Sequence, residues 1–204
     1  MKTCLLALAL LAGGGGAARA QTTGVHFGLK AGVNFSKYVG SDVADNVLIS
    51  TLYRPNFSAG ALAEIGLAEH LAVQPELLYT VKGTKQIIAN TVTRYQSLGY
   101  LDIPVLLKFK IPYFFVEAGP QLGVLLRAKQ TVESATTEDI DNKSSFRTTD
   151  LGYAVGLGVQ DTNGLLLGVR YNGGLTNVSS ANPQPSIRNN TFHIYLGYVF
   201  GSTK

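Results

Sequence analysis

Tryptophan is absent, cysteine occurs once, and charged residues make up only 15% of the 204 positions. The lone Cys4 lies in MKTCLLALALLAGGGGAARA, which has the order of a secretory signal: Lys2, an apolar run over 5–12, then small residues. Ala18-Arg19-Ala20 predicts cleavage before Gln21, and four consecutive glycines argue against a buried helix there. The expected organisation is therefore a cleaved signal at 1–20 and one domain over 21–204. Without Cys4 that domain has no disulfide, thiol nucleophile or thiolate metal site. Losing Lys2 and Arg19 from 17 basic residues leaves 15 against 13 acidic ones. With no dense Lys/Arg run, nucleic acid is excluded as a partner. The apolar run at 5–12 is too short to cross a bilayer as a helix, and no long 3.6-residue period appears.

What is present is alternation. In GVHFGLKAGVNFS (24–36), Val25, Phe27, Leu29, Ala31, Val33 and Phe35 share one parity, and His26, Gly28, Lys30, Gly32, Asn34 and Ser36 the other. A strand with one apolar and one polar face follows. The pattern recurs and predicts strands at 24–37, 56–68, 71–82, 95–110, 113–128, 148–160, 165–173 and 190–200. Glu69-His70, Ile111-Pro112 and residues 161–164 are tight turns, whereas 38–55, 83–94, 129–147 and 174–189 are long and polar. Short turns on one rim and long loops on the other describe an eight-stranded antiparallel up-and-down transmembrane β-barrel.

Which parity meets which solvent decides the class. The apolar set, Val25 to Phe35 in the first strand and its counterparts in the other seven, contains no charge. The opposite set holds Lys30, Glu64, Glu76, Asp102, Lys108, Glu117, Asp150 and Arg170, together with many of the 23 glycines. Facing water, those glycines would weaken strands and pack nothing; inside a narrow lumen they make room for converging side chains. A charge-free outer face suits hydrocarbon. The rival is a soluble ligand-binding barrel, with Leu62, Leu78 and Leu106 lining a pocket. Phe109, Phe114, Tyr198 and Phe200 near the turns, and Phe35, Tyr79 and Tyr171 near the loops, are placed as interfacial girdles. Pro75, Pro104 and Pro120 each remove a ladder donor and are expected to mark bulges.

GLKAGVNFS (28–36), QPELLYTVKG (74–83), YLDIPVLLKF (100–109), AGPQLGVLL (118–126) and LGYVF (196–200) together resemble the PorT-like outer-membrane β-barrel domain family. The resemblance spans essentially the whole domain. It implies a small porin-like barrel of the Gram-negative outer membrane, and it supplies no catalytic residues. The stretch holding Tyr195, Gly197 and Phe200 is similar to the C-terminal signal read by the barrel-assembly machinery, although Gly201 to Lys204 follow the last aromatic.

Counted from the short turns, Glu64, Glu76, Glu117 and Asp102 fall at similar depth on four neighbouring strands. Lys30 and Arg170 lie at comparable height, with Lys108 nearer the turn rim. Two readings compete: a charge-balanced plug, or a carboxylate cluster that handles protons. His26 and His193 lie on strands made neighbours by closure but near opposite rims, and His70 is in a turn, so no triad or histidine metal site is expected. Glu138, Asp139 and Asp141 faintly resemble a Ca²⁺ loop but lack its glycine and terminal glutamate. The expectation is a scaffold in the outer membrane, without cofactor or catalysis, partnered by lipid and, during insertion, by the assembly machinery. Transport of small solutes or protons is the alternative, followed by a lipid-modifying enzyme. Any ligand or protein partner of the loops is left open.

Overall fold

A computed structural model describes residues 24–40, 49–88, 92–133, 137–180 and 187–201. The expected signal segment lies outside them. Nine strands form in chain order: β1 (Val25–Val39), β2 (Ile49–Ala68), β3 (Leu71–Ile88), β4 (Val92–Ile111), β5 (Phe114–Glu133), β6 (Thr137–Asp141), β7 (Thr149–Gln160), β8 (Leu165–Gly174) and β9 (Arg188–Val199). Every pairing is antiparallel. The ring runs β1-β2-β3-β4-β5-β7-β8-β9 and closes through β1–β9, while β6 pairs only with the upper part of β5. All eight expected wall strands are present.

The tight turns at Glu69-His70 and 161–164 fall where the sequence placed them, and the one expected at Ile111-Pro112 falls one residue later. Asp161 caps one: its Oδ1 accepts from the backbone N–H of Asn163 (3.0 Å) and Leu165 (2.8 Å), and Gly164 takes the positive φ of 95°. At Pro112-Tyr113, Tyr113 has φ 74°, as the third position of a type II turn requires. The other rim departs from expectation. The segment 83–94 is largely strand, because β3 and β4 continue in register from Leu78↔Asp102 to Ile88↔Val92. Likewise 129–133 belongs to β5 and 137–141 to β6, so the acidic stretch is strand and not loop. These extensions rise past the apolar belt, where both faces can be polar and strict alternation is lost.

The prolines behave differently from expectation as well. Pro75 pairs with Val105 and Leu78 with Asp102 in one unbroken register, and Pro104 and Pro120 also sit without a shift. The lost donors leave missing rungs instead of bulges. Register shifts occur between Tyr53 and Ser58, a stretch holding Pro55, between Gly66 and Ala68, and between Gly99 and Tyr100. The last leaves Leu126 as an extra residue on β5, so Leu126 and Arg127 are both exposed in succession. Simple parity would have turned Arg127 inward.

The parity assignment itself holds. Phe27 is 66% exposed, Leu157 57% and Leu196 54%, whereas Lys30, Glu76, Asp102, Glu117 and Arg170 are buried. Of the expected girdle residues, Tyr198 packs against Phe200 (5.2 Å between centroids) and Tyr171 against Tyr153, which was not among them (6.2 Å). Leu62, Leu78 and Leu106 are buried, with Leu62 packed in a cluster with Phe115, Leu166, Tyr195 and Val199 near the turns. A second cluster, Tyr38, Leu98, Tyr100, Leu125 and Ala128, sits near the loops and is overlaid by Phe146 and Ile187.

Candidate functional site

The inward faces also carry charge, arranged in three tiers, the lowest of them interleaved with the apolar cluster near the turns. Nearest the turns, Glu64 of β2 accepts from Lys108 Nζ of β4 (2.8 Å) and is also paired with Lys110. Lys108 donates further to Gln74 Oε1 (3.1 Å) and Gln160 Oε1 (2.8 Å), and lies over the Phe115 ring. A buried ammonium needs this many acceptors, since an unpaired charge away from water is costly.

The middle tier spans the barrel. Arg170 on β8 places Nη1 2.7 Å from Glu76 Oε2 and Nη2 2.8 Å from Glu76 Oε1, a two-pronged grip on β3. Its Nε reaches Glu117 Oε1 of β5 at 2.7 Å. In the ring β3 and β8 are four strands apart in either direction, so this pair crosses the diameter. Lys30 Nζ is 3.2 Å from Glu76 and 3.5 Å from the Tyr195 ring centre, and Gln74 Nε2 donates to Glu76 at 2.6 Å. Two glycines make the space. A Cβ on Gly156 would lie 2.8 Å from both Glu117 Oε1 and Val169 O, and one on Gly168 would strike the Tyr195 ring at 2.5 Å.

The tier toward the loops joins Lys82 of β3 to Asp102 of β4 (3.0 Å) and Asp150 of β7 (3.5 Å), with Asn189 Nδ2 donating to Asp150 at 2.9 Å. A water-sized polar cavity remains beside it, lined by Gln121, Asn172 and Thr191 among others. Asn172 Oδ1 has no hydrogen-bond partner among the described residues.

The structure thus brings Glu76, Glu117, Lys30 and Arg170 together and separates three expected members, Glu64, Lys108 and Asp102, from them. Glu64 is matched to Lys108, and Asp102 belongs to Lys82, whose last-residue position on a predicted strand hid it. Asp150 had the inward parity but was left out of the expected cluster. Depth along each strand was legible; which partner lies across the lumen was not.

Closure at the loop end is built from Asn142 to Ser180. Gln96 of β4 and Asn142 exchange amide hydrogen bonds at 3.0 Å each way. Arg147 N donates to Val178 O at 2.8 Å, Phe146 bridges to Ser179, and Ser180 N donates to Ser145 O at 3.0 Å. His193 pairs with Asn34 and His26 with Glu64, so the two histidines stand apart as the sequence implied. Among the described residues no three metal-ligating side chains cluster; those of Glu138 and Asp139 lie outside the description.

A closed ring with a charge-free apolar belt outside and charged side chains inside is the physical signature of a barrel that crosses a membrane. The family model "Outer membrane protein beta-barrel domain" matches residues 19–180. The chain belongs to the outer membrane protein beta-barrel domain family. As a member of that family it is a protein of the bacterial outer membrane. The crystal structure of Ail, the attachment invasion locus protein of Yersinia pestis, is similar with a TM-score of 0.53 at 14% identity, covering 88% of this chain and 100% of that one. Ail in complex with the heparin analogue sucrose octasulfate gives 0.50 at 14% identity, covering 86% and 99%. Neisserial surface protein A gives 0.45 at 14% identity, covering 86% and 98%. At such identity the Ail likeness speaks for the fold alone. No curated protein matches the sequence.

Proposed function

We propose that this barrel is a non-conducting scaffold of the outer membrane, without catalytic activity, its lumen plugged by charge and its loop end presented outward. The observation that carries the reading is the Arg170–Glu76 grip across the diameter, with apolar side chains packed among the charged tiers toward the turns and above them toward the loops. An ion would have to break paired charges in three successive tiers to pass. The PorT-like branch of the family is proposed on the five strings quoted above. We also propose that β9 holds the assembly signal, with Tyr195 and Gly197 on the lumen side and Phe200 outside.

Planar-bilayer recording tests the plug. The wild-type barrel is expected to add no current above background leak, and so is a variant lacking Arg170. A large, selective current through the wild type would replace the scaffold by the transport reading.

A further inference from the structure

We propose that the loop-side end of the lumen holds a site for one monovalent metal cation of the sodium class, ligated by Asp150, Asn172 and Thr191. A plug needs no such ion, so the site stands apart from the scaffold reading.

The charge of the loop-side tier calls for one more positive unit. Asp102 and Asp150 are 1% and 4% exposed, and both rely on Lys82, at 3.0 and 3.5 Å. Among the described residues no other cation pairs with either. Two buried carboxylates against one ammonium leave a negative charge uncompensated, which is costly away from water. The other tiers have no such deficit: Lys108 and Lys110 face Glu64, and Lys30 and Arg170 face Glu76 and Glu117. At Asp150 the unmet atom is Oδ1. Lys82 and Asn189 both approach Oδ2, at 3.5 and 2.9 Å, whereas Oδ1 has the Thr176 hydroxyl at 3.5 Å as its one described neighbour of this kind.

The space beside that carboxylate follows from sequence. Asp150, Gly152 and Ala154 take the inward positions of β7 in succession, and Gly152 pairs with Gly174 of β8. Two facing glycines leave a gap between Asp150 and Asn172, which pairs with Ala154 one inward step nearer the turns. This gap is the water-sized cavity, lined by Asp150, Gly152, Asn172, Gly174 and Thr191 among others. A body of that size is a bare alkali ion, not a hydrated one. Asn172, 8% exposed, gives its amide N–H to Gln121 Oε1 and leaves Oδ1 in the cavity wall without a donor among the described residues. Thr191, opposite Asn172 on β9, donates its hydroxyl to Ser36 and keeps its oxygen lone pairs. Carboxylate, amide and hydroxyl oxygens are the ligands of a hard cation. A single charge balances the tier, whereas Ca²⁺ would leave surplus positive charge beside Lys82.

The test uses the full barrel in bilayers, unfolded by urea at constant ionic strength while Na⁺ is replaced stepwise by N-methylglucammonium, which is too large for the cavity. Na⁺ is expected to raise the midpoint as its concentration rises; a Kd of about 30 mM makes the folded-to-unfolded ratio about tenfold larger at about 300 mM. Asp150→Asn removes the surplus charge and Asn172→Leu the free oxygen, so each should abolish the response. Glu69→Gln, in a turn at the other rim, should keep it. Heat-modifiable gel migration establishes that each variant is folded, and Asn172→Leu serves if Asp150→Asn is not. A wild-type midpoint indifferent to Na⁺, or a response that survives in either folded variant, overturns the proposal. So does a stronger response to Ca²⁺ than to Na⁺. Stabilisation of the wild type by acid in place of Na⁺ also overturns it, since a proton and not a metal ion would then balance Asp102 and Asp150.

Discussion

Tyr195 donates its hydroxyl to Glu117 Oε1 at 2.7 Å from a position directly over Gly168, where a Cβ would strike its ring. Gly168→Ala should push the ring off Glu117 and destabilise the barrel more than Tyr195→Phe, which only removes the hydroxyl. A hydrogen bond to a charged group contributes about 1.5–3 kcal/mol, and Arg170 still holds Glu117 in Tyr195→Phe, so its loss should fall at or below the lower end. Urea unfolding in bilayers measures both. A Gly168→Ala barrel as stable as wild type would contradict the packing described here.

Arg170→Met should cost about 3–5 kcal/mol, reduced by any water in the lumen. Glu76 then keeps Lys30, but Glu117 loses the Arg170 guanidinium that is its ion-pair partner. Combining Arg170→Met with Glu117→Gln should therefore be milder than Arg170→Met alone, because the surviving Lys30–Glu76 pair is neutral. The coupling appears in a double-mutant cycle, and strict additivity would deny the shared site.

Val105→Arg or Leu157→Arg places a charge on the outer wall. Each should reduce folding into bilayers by about 2–4 kcal/mol near the midplane. Equal tolerance of both, read by heat-modifiable migration, would invert the faces of the wall.

Asp161 gives a pH dependence outside the membrane. Desolvation pushes its carboxyl up, but hydrogen bonds from the Asn163 side chain and from the N–H groups of Leu165, Asn163 and Gly164 outweigh it and hold the group below the ordinary carboxylate range. A depressed folded value adds stability above the unfolded pKa, about 3.9, and loses it as pH falls through the folded one. Asp161→Ala should therefore be less stable than wild type at pH 7. The difference should shrink as pH drops below about 4, where denaturant midpoints are compared across pH.

The wall was legible because a strand's facing period is two and one face meets hydrocarbon. Val25 to Phe35 or Leu151 to Val159 admit no other reading. The limits of the strands were not, because above the belt the outward positions of β3, such as Gly83 and Lys85, no longer need to be apolar and the alternation stops. Arg127 was hidden for a related reason: one inserted residue, Leu126, breaks the count. Charges of the lumen could be enumerated from parity and depth, yet their partners could not. Lys82 and Asp150 meet from β3 and β7, strands that share no ladder, and that distance across the barrel leaves no mark in local sequence.

The three luminal tiers also have a direction. Near the turns Lys108 and Lys110 face one carboxylate, in the middle two cations face two, and near the loops Lys82 faces both Asp102 and Asp150. The interior is balanced in total but polarised end to end, positive at the turn rim and negative at the loop rim. Such a column is an electrical axis along the membrane normal. A cation drawn in at the loop end meets repulsion at the far end, and an anion entering from the turns meets the same in reverse. Even a barrel whose side chains loosened would oppose through-passage of either sign.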